Sequence, residues 1–217
     1  MSGISGWYDS YEKRFVGEQS VTRTFGEKRY IVAYSGELYN CGELRRELEE
    51  RGHYFETTSE MEVVLNGLFT YGTDFVKQMN GVFALAFYDE TEESLYLFRD
   101  RIGVKPLFYT RQGDTIFFAS EIETLLANSG VKPVLDRKGL NEVFSIGPAK
   151  TYGCGVFKGI DEVLPGHLLS YTGAEMKNYC YWKLESKVHE DNYEQTVEKI
   201  AFLLENAVKN QDRKSVV

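Results

Sequence analysis

The second residue of the chain is the first that could do chemistry. If Met1 is removed, Ser2 becomes the N-terminal residue, and its hydroxyl then lies beside an α-amino group whose pKa is roughly 7.7–8.0. A hydroxyl activated by the chain's own amine is an established catalytic arrangement. Met-Ser is also an ordinary way to begin a protein. The position by itself therefore leaves a nucleophile and a plain terminal serine both open.

The cysteines and histidines form no cluster in the sequence. Cys41, Cys154 and Cys180 are far apart and belong to no CxxC pair. This spacing is typical of buried free thiols in a reducing compartment rather than of disulfides or zinc ligands. The three histidines are equally scattered, so we expect no metal site.

The composition indicates a globular protein of one large domain, or of one domain with an appendage. The chain has 217 residues, of which 42% are hydrophobic and 27% charged, and it contains only 4 prolines. The net charge of −8, with no basic stripe, argues against a nucleic-acid surface. Because no apolar run resembles a signal peptide or a membrane span, we expect a cytoplasmic location and no membrane contact.

The first half of the chain predicts strands followed by two helices. A short strand is predicted for "GISGWY", a loop for the polar stretch 9–28, and a buried strand around residues 30–34. A helix is predicted over Cys41–Arg51, with Gly52 as its stop. A second helix over Ser59–Tyr71 begins with a capping box, Ser59 followed three residues later by Glu62.

The second half predicts antiparallel strands and further helices. "GVFALAFYD", "ESLYLFRD", "LFYT" and "TIFFAS" are separated by short turns and should pair antiparallel. "SEIETLLAN" and "DRKGLNEVFSIG" are typical of helices, and "GHLLSYTG" of a strand. A last helix carries an apolar stripe of Val197, Ile200, Leu204 and Val208, which must pack back on the domain or meet a partner. The pattern predicts an α+β protein.

Three stretches taken together resemble one family. "YSGELYN", "NGVFALAFYD" and "LFRDRIGVKPLFY" are similar to the N-terminal glutaminase domain of asparagine synthetases, a class II glutamine amidotransferase. "FFASEIETLL", "LPGHLLSY" and "YCYW" continue the similarity in the same order, up to about Lys183. Because these motifs are long and ordered, the chain is identified as a member of this family.

The resemblance implies the N-terminal-nucleophile fold, a four-layer sandwich with two antiparallel β-sheets between helical layers. Family members begin Met-Cys-Gly, and the freed cysteine attacks the side-chain amide of glutamine while an oxyanion hole stabilises the tetrahedral intermediate. The released ammonia reaches a second domain, where an ATP-activated aspartate accepts it. The resemblance therefore implies glutamine as the substrate and no cofactor in this chain, since ATP and magnesium are expected only for the synthetase domain.

The same resemblance assigns roles to five positions, three of which depart from the family. Ser2 stands where the nucleophilic cysteine belongs, and Ser35 stands at the asparagine of Y-N-G-E, whose amide helps to form the oxyanion hole. The N–H of Gly36 is the implied second donor, and the Gly36-Glu37 backbone is implied to lie along bound glutamine. Glu60 stands at the aspartate of S-D-T-E, which receives the α-ammonium group of the substrate. We expect Ser2 to lie near Gly36 and Glu37.

Two motifs of the family are absent from the sequence. An R-G-P-D loop and an H-R-R-L strand, whose arginine pairs with the substrate carboxylate, belong after the first strand, but "YEKRF" passes directly to "VGEQS". Because nucleophile, oxyanion donor, ammonium partner and carboxylate partner are altered or missing together, we expect glutamine hydrolysis to be impaired or absent. A non-catalytic domain that serves folding, docking or scaffolding is the alternative.

The remaining predictions concern organisation. Residues 1–185 are predicted to form the amidotransferase domain, and 186–217 a linker and the first helix of a truncated synthetase domain. Through that helix the chain is expected to meet a synthetase domain or a partner chain, and a homodimer stays open. "RDRIGVKP" is expected to be a salt-bridged loop in the wall of the site, and His167 to have no catalytic part.

Overall fold

Two antiparallel sheets form the centre of the structure, a computed structural model that describes residues 3–127, 130–145 and 151–211. The five-stranded sheet has the spatial order β2 (Arg14–Gly17), β1 (Ser5–Asp9), β8 (Thr115–Ala119), β7 (Phe108–Gln112) and β9 (Ile160–Glu162). The six-stranded sheet has the order β11 (Met176–Cys180), β10 (His167–Tyr171), β6 (Ser94–Arg99), β5 (Gly81–Asp89), β4 (Lys28–Leu38) and β3 (Ser20–Phe25). Neighbouring strands in both sheets are antiparallel.

Helices pack on the outer face of each sheet, α1 (Cys41–Glu50) and α2 (Glu60–Tyr71) on one and α3 (Ile122–Leu126) on the other. The described helices also include α4 (Arg137–Ser145), α5 (Tyr193–Gln211) and a 3₁₀ helix at Gly72–Lys77. Leu48 of α1 and Leu65 of α2 share a buried cluster with Val32 of the six-stranded sheet. Leu125 of α3 packs with Phe108 of the five-stranded sheet. The predicted four-layer α+β sandwich is therefore confirmed.

Strand β4 is buried on both faces, which explains why its sequence is apolar without alternation. Ile31 and Ala33 face the five-stranded sheet and join the cluster between the two sheets. Val32 and Tyr34 face the helices. This alternation fixes the direction of the side chains that follow in the same strand.

The two predicted helices of the first half are confirmed, with one correction at the second N-terminus. The Ser59 hydroxyl caps α2 by accepting the N–H of Met61 at 3.2 Å, and Gly72 follows the helix with φ +62°. The capping box is incomplete, however, because the Ser59 N–H donates to the hydroxyl of Thr57 at 3.2 Å. Glu62 instead accepts N–H groups from the loop before the helix.

The loop predicted for residues 9–28 is wrong. This stretch contains β2 and β3, each of which forms one edge of its sheet. Edge strands are partly exposed on both faces, and their residues here alternate only between exposed and half-buried. Residues 9–28 therefore show no regular alternation of apolar and polar residues, although they form both strands.

The strands predicted in the second half are confirmed. The hairpin turns fall between β5 and β6 and between β7 and β8, as the turn residues indicate. Strands β9 and β11 were not predicted; β11 is exposed along its whole length. All three cysteines are free, but only Cys154 is buried, so the prediction of buried thiols is wrong for the exposed Cys180.

Helix α5 does not pack its apolar stripe on the rest of the described chain. Its described residues include none that is buried, and Val197, Ile200, Leu204 and Val208 are each about half exposed or more. Of the two outcomes predicted for this stripe, packing back is thus not observed. Within the described ranges, no helix has the length and apolar character needed to cross a membrane.

Candidate active site

The site predicted from the sequence centres on the end of strand β4. Its alternation places the Ser35 side chain on the same face as Ile31 and Ala33, towards the layer between the sheets, where Ser35 is buried. Ser35 pairs with Ala84 of β5. Glu37, two residues after Ser35, has an exposed side chain. The surrounding strands therefore contact mainly its backbone.

Gly36 occupies a position that no larger residue fits. It pairs with Phe83 of β5, and a Cβ on Gly36 would lie 2.2 Å from the Val82 carbonyl oxygen and 2.7 Å from the Phe83 Cα. Both contacts are far below van der Waals distance. The glycine is thus required by close approach of two backbones, since its φ is not in the left-handed region.

The backbone N–H of Gly36 points to an open edge of the sheet. The N–H of Glu90 donates to the Arg29 carbonyl and the N–H of Tyr39 donates to the Asn80 carbonyl, so odd-numbered residues of β4 direct their backbone groups towards β5. Even-numbered residues, Gly36 among them, direct theirs to the opposite side. On that side β3 does not reach Gly36, because its first residue, Ser20, pairs with Ala33. An N–H so directed can donate to a ligand.

Glu60 lies on the same edge. Its Oε2 atom accepts the N–H of Leu38 at 2.9 Å and the hydroxyl of Tyr34 at 3.3 Å. The N–H groups of Gly36 and Leu38 are separated by two residues of extended chain, about 7 Å. The fold therefore brings Gly36 and Glu60, which are distant in the sequence, to one place. Glu60 reaches this edge from the helical layer, whereas Ser35 faces the layer between the sheets.

The start of the chain lies against the end of strand β8. The N–H of Ile4 donates to the Ser120 hydroxyl at 3.1 Å, and the Ser120 N–H donates to the Ile4 carbonyl at 2.8 Å. Ile4 belongs to the cluster between the sheets that also contains Ala84, the partner of Ser35. Ser2 lies outside the described residues, so its expected nearness to Gly36 and Glu37 stays a prediction.

The arginines of the shortened segment are engaged away from this edge. Arg14 pairs with Asp9 in the β1–β2 ladder, and its guanidinium lies over the Trp7 ring at 5.7 Å. Arg23 donates to Glu62 at 2.9 Å and to the Tyr54 carbonyl at 2.9 Å. Arg23 is thus paired with Glu62, and Arg14 lies over Trp7.

The carboxylate of Glu62 is held ionised by its neighbours. Burial raises the pKa of this group, but the N–H groups of Glu56 and Thr57, the Thr57 hydroxyl and the Arg23 guanidinium outweigh that effect. The pKa of Glu62 is therefore lowered from its usual value of 4.5. Its position fixes the start of α2, and so the position of Glu60 two residues earlier.

The "RDRIGVKP" stretch is a salt-bridged loop, as predicted. Arg99 is buried and pairs with Glu162 of the other sheet at 3.0 Å. The Asp100 carboxylate accepts the N–H groups of Gly103 at 2.6 Å and Lys105 at 2.9 Å. It also accepts the N–H of Phe83, the partner of Gly36, at 3.3 Å. Sequence reasoning did not anticipate this link, because only the tertiary structure brings Asp100 beside the Gly36 pair.

The other candidates contribute nothing to this site. His167 bonds through Nδ1 to the Pro165 carbonyl oxygen at 2.8 Å, as a turn residue. Across residues 3–127, 130–145 and 151–211, no three histidine, cysteine or acidic side chains are placed to hold a metal ion. The candidate site thus consists of the polar groups of the β4 edge.

Comparison with known proteins matches this chain to one family. A family model described as a glutamine amidotransferase domain matches residues 1–182. "Asparagine synthetase [glutamine-hydrolyzing] 3" of Bacillus subtilis is 43% identical over 195 residues, which are 90% of this chain and 32% of that protein. A putative asparagine synthetase [glutamine-hydrolyzing] 2 of Methanocaldococcus jannaschii is 30% identical over 86% of this chain and 36% of that protein. The chain spans about a third of the length of these relatives.

Solved structures share the fold. The glutamine phosphoribosylpyrophosphate amidotransferase of B. subtilis, solved with ADP and GMP, superposes with a TM-score of 0.56 at 16% identity over 83% of this chain and 49% of that one. A structure titled as the allosteric regulatory enzyme of purine biosynthesis gives a TM-score of 0.53 at 22% identity, over 81% of this chain and 33% of that one. At these identities, the likeness concerns the fold alone.

Proposed function

We propose a function on the premise that this chain belongs to the glutamine amidotransferase domain family, whose model matches residues 1–182. The chain is the glutaminase domain of an asparagine synthetase-like amidotransferase, in which glutamine hydrolysis supplies ammonia for the amidation of aspartate. The names of the B. subtilis and M. jannaschii relatives support this acceptor. In the chain as it stands, the substitutions leave the hydrolysis impaired.

One observation carries the proposal: the Gly36 N–H is directed to the same open edge at which Glu60 accepts the Leu38 N–H. Glutamine bound at that edge would place its side-chain amide oxygen at the Gly36 N–H and its α-ammonium group near the Glu60 carboxylate. These are two of the polar contacts that glutamine needs, one at each end of the molecule. The backbone of Glu37 continues the strand between them.

The reaction follows from the chemistry of an N-terminal hydroxyl. With Met1 removed, the Ser2 hydroxyl adds to the side-chain amide carbon of glutamine, and the Ser2 α-amine takes its proton. The amide oxygen becomes an oxyanion, which the Gly36 N–H would stabilise, whereas Ser35 stands at the position of the second donor with a shorter side chain. The C–N bond then breaks as the nitrogen takes the proton and leaves as ammonia. Water hydrolyses the resulting ester to glutamate and restores Ser2.

Each departure weakens a different part of this reaction. A hydroxyl ionises less readily than a thiol, so Ser2 is a weaker nucleophile than cysteine. Ser35 is shorter than asparagine, and the loss of one side-chain oxyanion donor costs about 2.7–4 kcal/mol in other enzymes. Glu60 has one methylene more than aspartate, and a misplacement of about 1 Å can cost 10²-fold in rate.

The alternative is a non-catalytic domain retained for folding or docking. The ion pair of Arg23 with Glu62 favours it, because it engages an arginine of the shortened segment with the protein itself. A bidentate arginine clamp is not reproduced by lysines at other positions. The two functions differ in whether the β4 edge still binds glutamine.

The test is the Ser2→Cys variant, assayed for glutamate release and for labelling by the glutamine-like electrophile diazo-oxo-norleucine. We expect release barely above background in the unaltered chain and little rescue in Ser2→Cys, because residues that act as a unit fail together. Labelling of the Ser2→Cys variant at its new thiol, faster than that of a Ser20→Cys control on the exposed strand β3, supports a glutaminase site.

The other outcomes separate the alternatives. Equal labelling of the two variants, with no glutamate release, assigns the chain to the non-catalytic function. Strong rescue of glutamate release by Ser2→Cys alone means that the site is intact apart from its sulfur, and the proposed impairment at Ser35 and Glu60 is then wrong.

A further inference from the structure

We infer that Ser120 is the positioning residue of the N-terminal nucleophile. Its side chain binds Ile4 and contacts Gly3, the two residues that follow Ser2, and so limits the positions that Ser2 can take. It acts through Ser2 and does not itself contact the substrate. The inference rests on the proposed function, because it concerns the nucleophile of that reaction.

The sequence around Ser120 is typical of an ordinary helix cap. Ser120 is followed three residues later by Glu123, which is the pattern of a capping box. In the structure, however, the N-cap of α3 is Glu121, and the Ser120 hydroxyl accepts the N–H of Ile4, 116 residues away, at 3.1 Å. The Ser120 side chain therefore binds the start of the chain.

This side chain completes the ladder between β1 and β8. The two strands pair antiparallel, and at their far end the Ser10 N–H donates to the Asp114 carbonyl at 3.1 Å. At the near end the Ser120 N–H donates to the Ile4 carbonyl at 2.8 Å, but the return bond from the Ile4 N–H goes to the Ser120 hydroxyl. In a regular hydrogen-bonded pair, a backbone carbonyl accepts that bond. The hydroxyl takes this role because the backbone turns from β8 into α3 at Ser120.

The bond between Ile4 and Ser120 is buried. Ile4 is 2% exposed and Ser120 is 8% exposed, and Ile4 belongs to the cluster between the two sheets. A buried N–H that loses its acceptor is unfavourable. A variant without the Ser120 hydroxyl should therefore free the start of the chain from this layer.

Gly3 extends the contact by one residue towards Ser2. A Cβ on Gly3 would lie 2.8 Å from the Ser120 Cβ and 3.1 Å from its Oγ, so the Gly3 backbone packs directly on the Ser120 side chain. Because consecutive Cα atoms are about 3.8 Å apart, the position of Gly3 restricts that of Ser2. A nucleophile needs this restriction, since a misplacement of about 1 Å can cost 10²-fold in rate.

Ser120 and the glutamine-binding groups belong to different sheets. Ser120 follows β8 of the five-stranded sheet, whereas Gly36 lies in β4 of the six-stranded sheet and Glu60 in the helix that packs on it. The two sheets meet in the cluster that contains Ile4 and Ala84 of β5, the strand next to β4. Loss of the Ser120 hydroxyl should therefore move the nucleophile and leave the β4 edge unchanged.

The first experiment measures inactivation by diazo-oxo-norleucine in the Ser2→Cys background. We expect Ser120→Ala to lower the maximal rate constant of inactivation by about tenfold or more and to leave the half-saturating reagent concentration within about twofold. Ser120→Thr retains a hydroxyl and should keep most of the rate. The matched control is Ser10→Ala, which removes a hydroxyl bonded to the Asp114 carbonyl at the far end of the same ladder. It should change neither constant.

The second experiment does not depend on glutamine chemistry. It measures hydrogen exchange of the Ile4 N–H in the complete 217-residue chain with Ser2 unaltered. Exchange should be about fivefold faster in Ser120→Ala, as expected when one hydrogen bond is lost. Ser10→Ala should leave the exchange of Ile4 unchanged.

Three results would contradict the inference. They are inactivation of Ser120→Ala as fast as that of its parent, a loss of rate that Ser10→Ala shares, and a half-saturating concentration that rises as much as the rate falls. Selective labelling of Ser2→Cys, with Ile4 exchange that Ser120→Ala does not change, rejects the role of Ser120 alone. Exchange that rises only in Ser120→Ala, without labelling of Ser2→Cys beyond the Ser20→Cys control, rejects the glutaminase function alone.

Discussion

At the scale of single residues, the candidate site depends on backbone geometry more than on side chains. Gly36 is kept free of a side chain by the Val82 carbonyl and the Phe83 backbone. Its N–H is directed to an edge that strand β3 leaves open. Glu60 completes this edge through a hydrogen bond to Leu38. A residue that donates from its backbone can be replaced only if the new side chain fits the packing around it.

Substitution of Gly36 tests this packing directly. We expect Gly36→Ala to lower the free energy of unfolding by about 1–3 kcal/mol, because the added methyl group would meet two backbone atoms at less than 3 Å. Urea denaturation measures the change. In Gly42→Ala, on α1, the methyl group meets nothing within 4 Å. That control should gain about 0.5–1 kcal/mol, and a loss equal to that of Gly36→Ala would contradict the packing argument.

At the scale of elements, two buried carboxylates hold the segments around the site. Asp100 ties the loop after β6 to Phe83 of β5, and Glu62 ties the first turn of α2 to the loop before it and to Arg23 of β3. Both accept hydrogen bonds from several backbone N–H groups of the adjoining loop. Each carboxylate therefore has a measurable effect on stability.

Asp100→Asn should destabilise the protein by about 1–3 kcal/mol, because both carboxylate oxygens accept backbone N–H groups. Oδ1 accepts from Ile102, Gly103 and Val104, and Oδ2 accepts from Phe83 and Lys105. An amide NH₂ in place of either oxygen would face donors and leave them unsatisfied. Thermal or urea unfolding gives the value.

The matched control for Asp100→Asn is Asp74→Asn, which removes an exposed ion pair with Lys77. Exposed pairs contribute little, so its effect should stay below about 1 kcal/mol. If the two variants are equally stable, the bonds of Asp100 do not hold the loop.

The lowered pKa of Glu62 predicts how the free energy of unfolding changes with pH. Its folded pKa lies below the usual 4.5, so its contribution is present above pH 4.5 and is lost as the pH falls through the folded pKa. We expect Glu62→Gln to be less stable than the unaltered chain at pH 7, with a difference that shrinks below about pH 4.5. Urea unfolding at several pH values measures it. Glu49→Gln, on the exposed side of α1, is the matched control and should change the free energy of unfolding by less than about 0.5 kcal/mol.

At the scale of the whole molecule, this chain corresponds to about a third of the relatives it matches. Its two sheets, their helices and the β4 edge lie within residues 3–182, and α5 extends from them without burying its apolar side. The division at residue 185 stays a prediction, as do the cytoplasmic location and a homodimer. The apolar stripe of α5 is left uncovered by the other described residues.

The 217-residue chain should not make asparagine by itself. Its sequence contains no S-G-G-x-D-S loop, which the family resemblance assigns to ATP binding in the synthetase domain. Incubation with ATP, aspartate and ammonium should give no asparagine, with intact B. subtilis asparagine synthetase 3 as the positive control. Asparagine formation by the purified chain would show that ATP is bound and used within these residues.

The sequence alone determined the family, the fold class and most elements. Buried strands such as β4 and β5 and the two long helices of the first half carry strong local signals, because burial of one or both faces demands an apolar pattern. The edge strands β2 and β3 were missed, since a strand with one free edge needs no such pattern. The departures at Ser2, Ser35 and Glu60 were also visible in the sequence, because they depend on residue type alone.

Only the tertiary structure decided which groups meet. Whether β3 pairs with the Gly36 N–H depends on how far β3 extends along β4. The position of Glu60 at the same edge depends on how α2 packs on β4. The link from Asp100 to Phe83 joins residues of two strands through a loop that the sequence identifies only as a turn. These contacts arise from pairing register and layer packing, which are properties of the whole chain, and local patterns do not contain them.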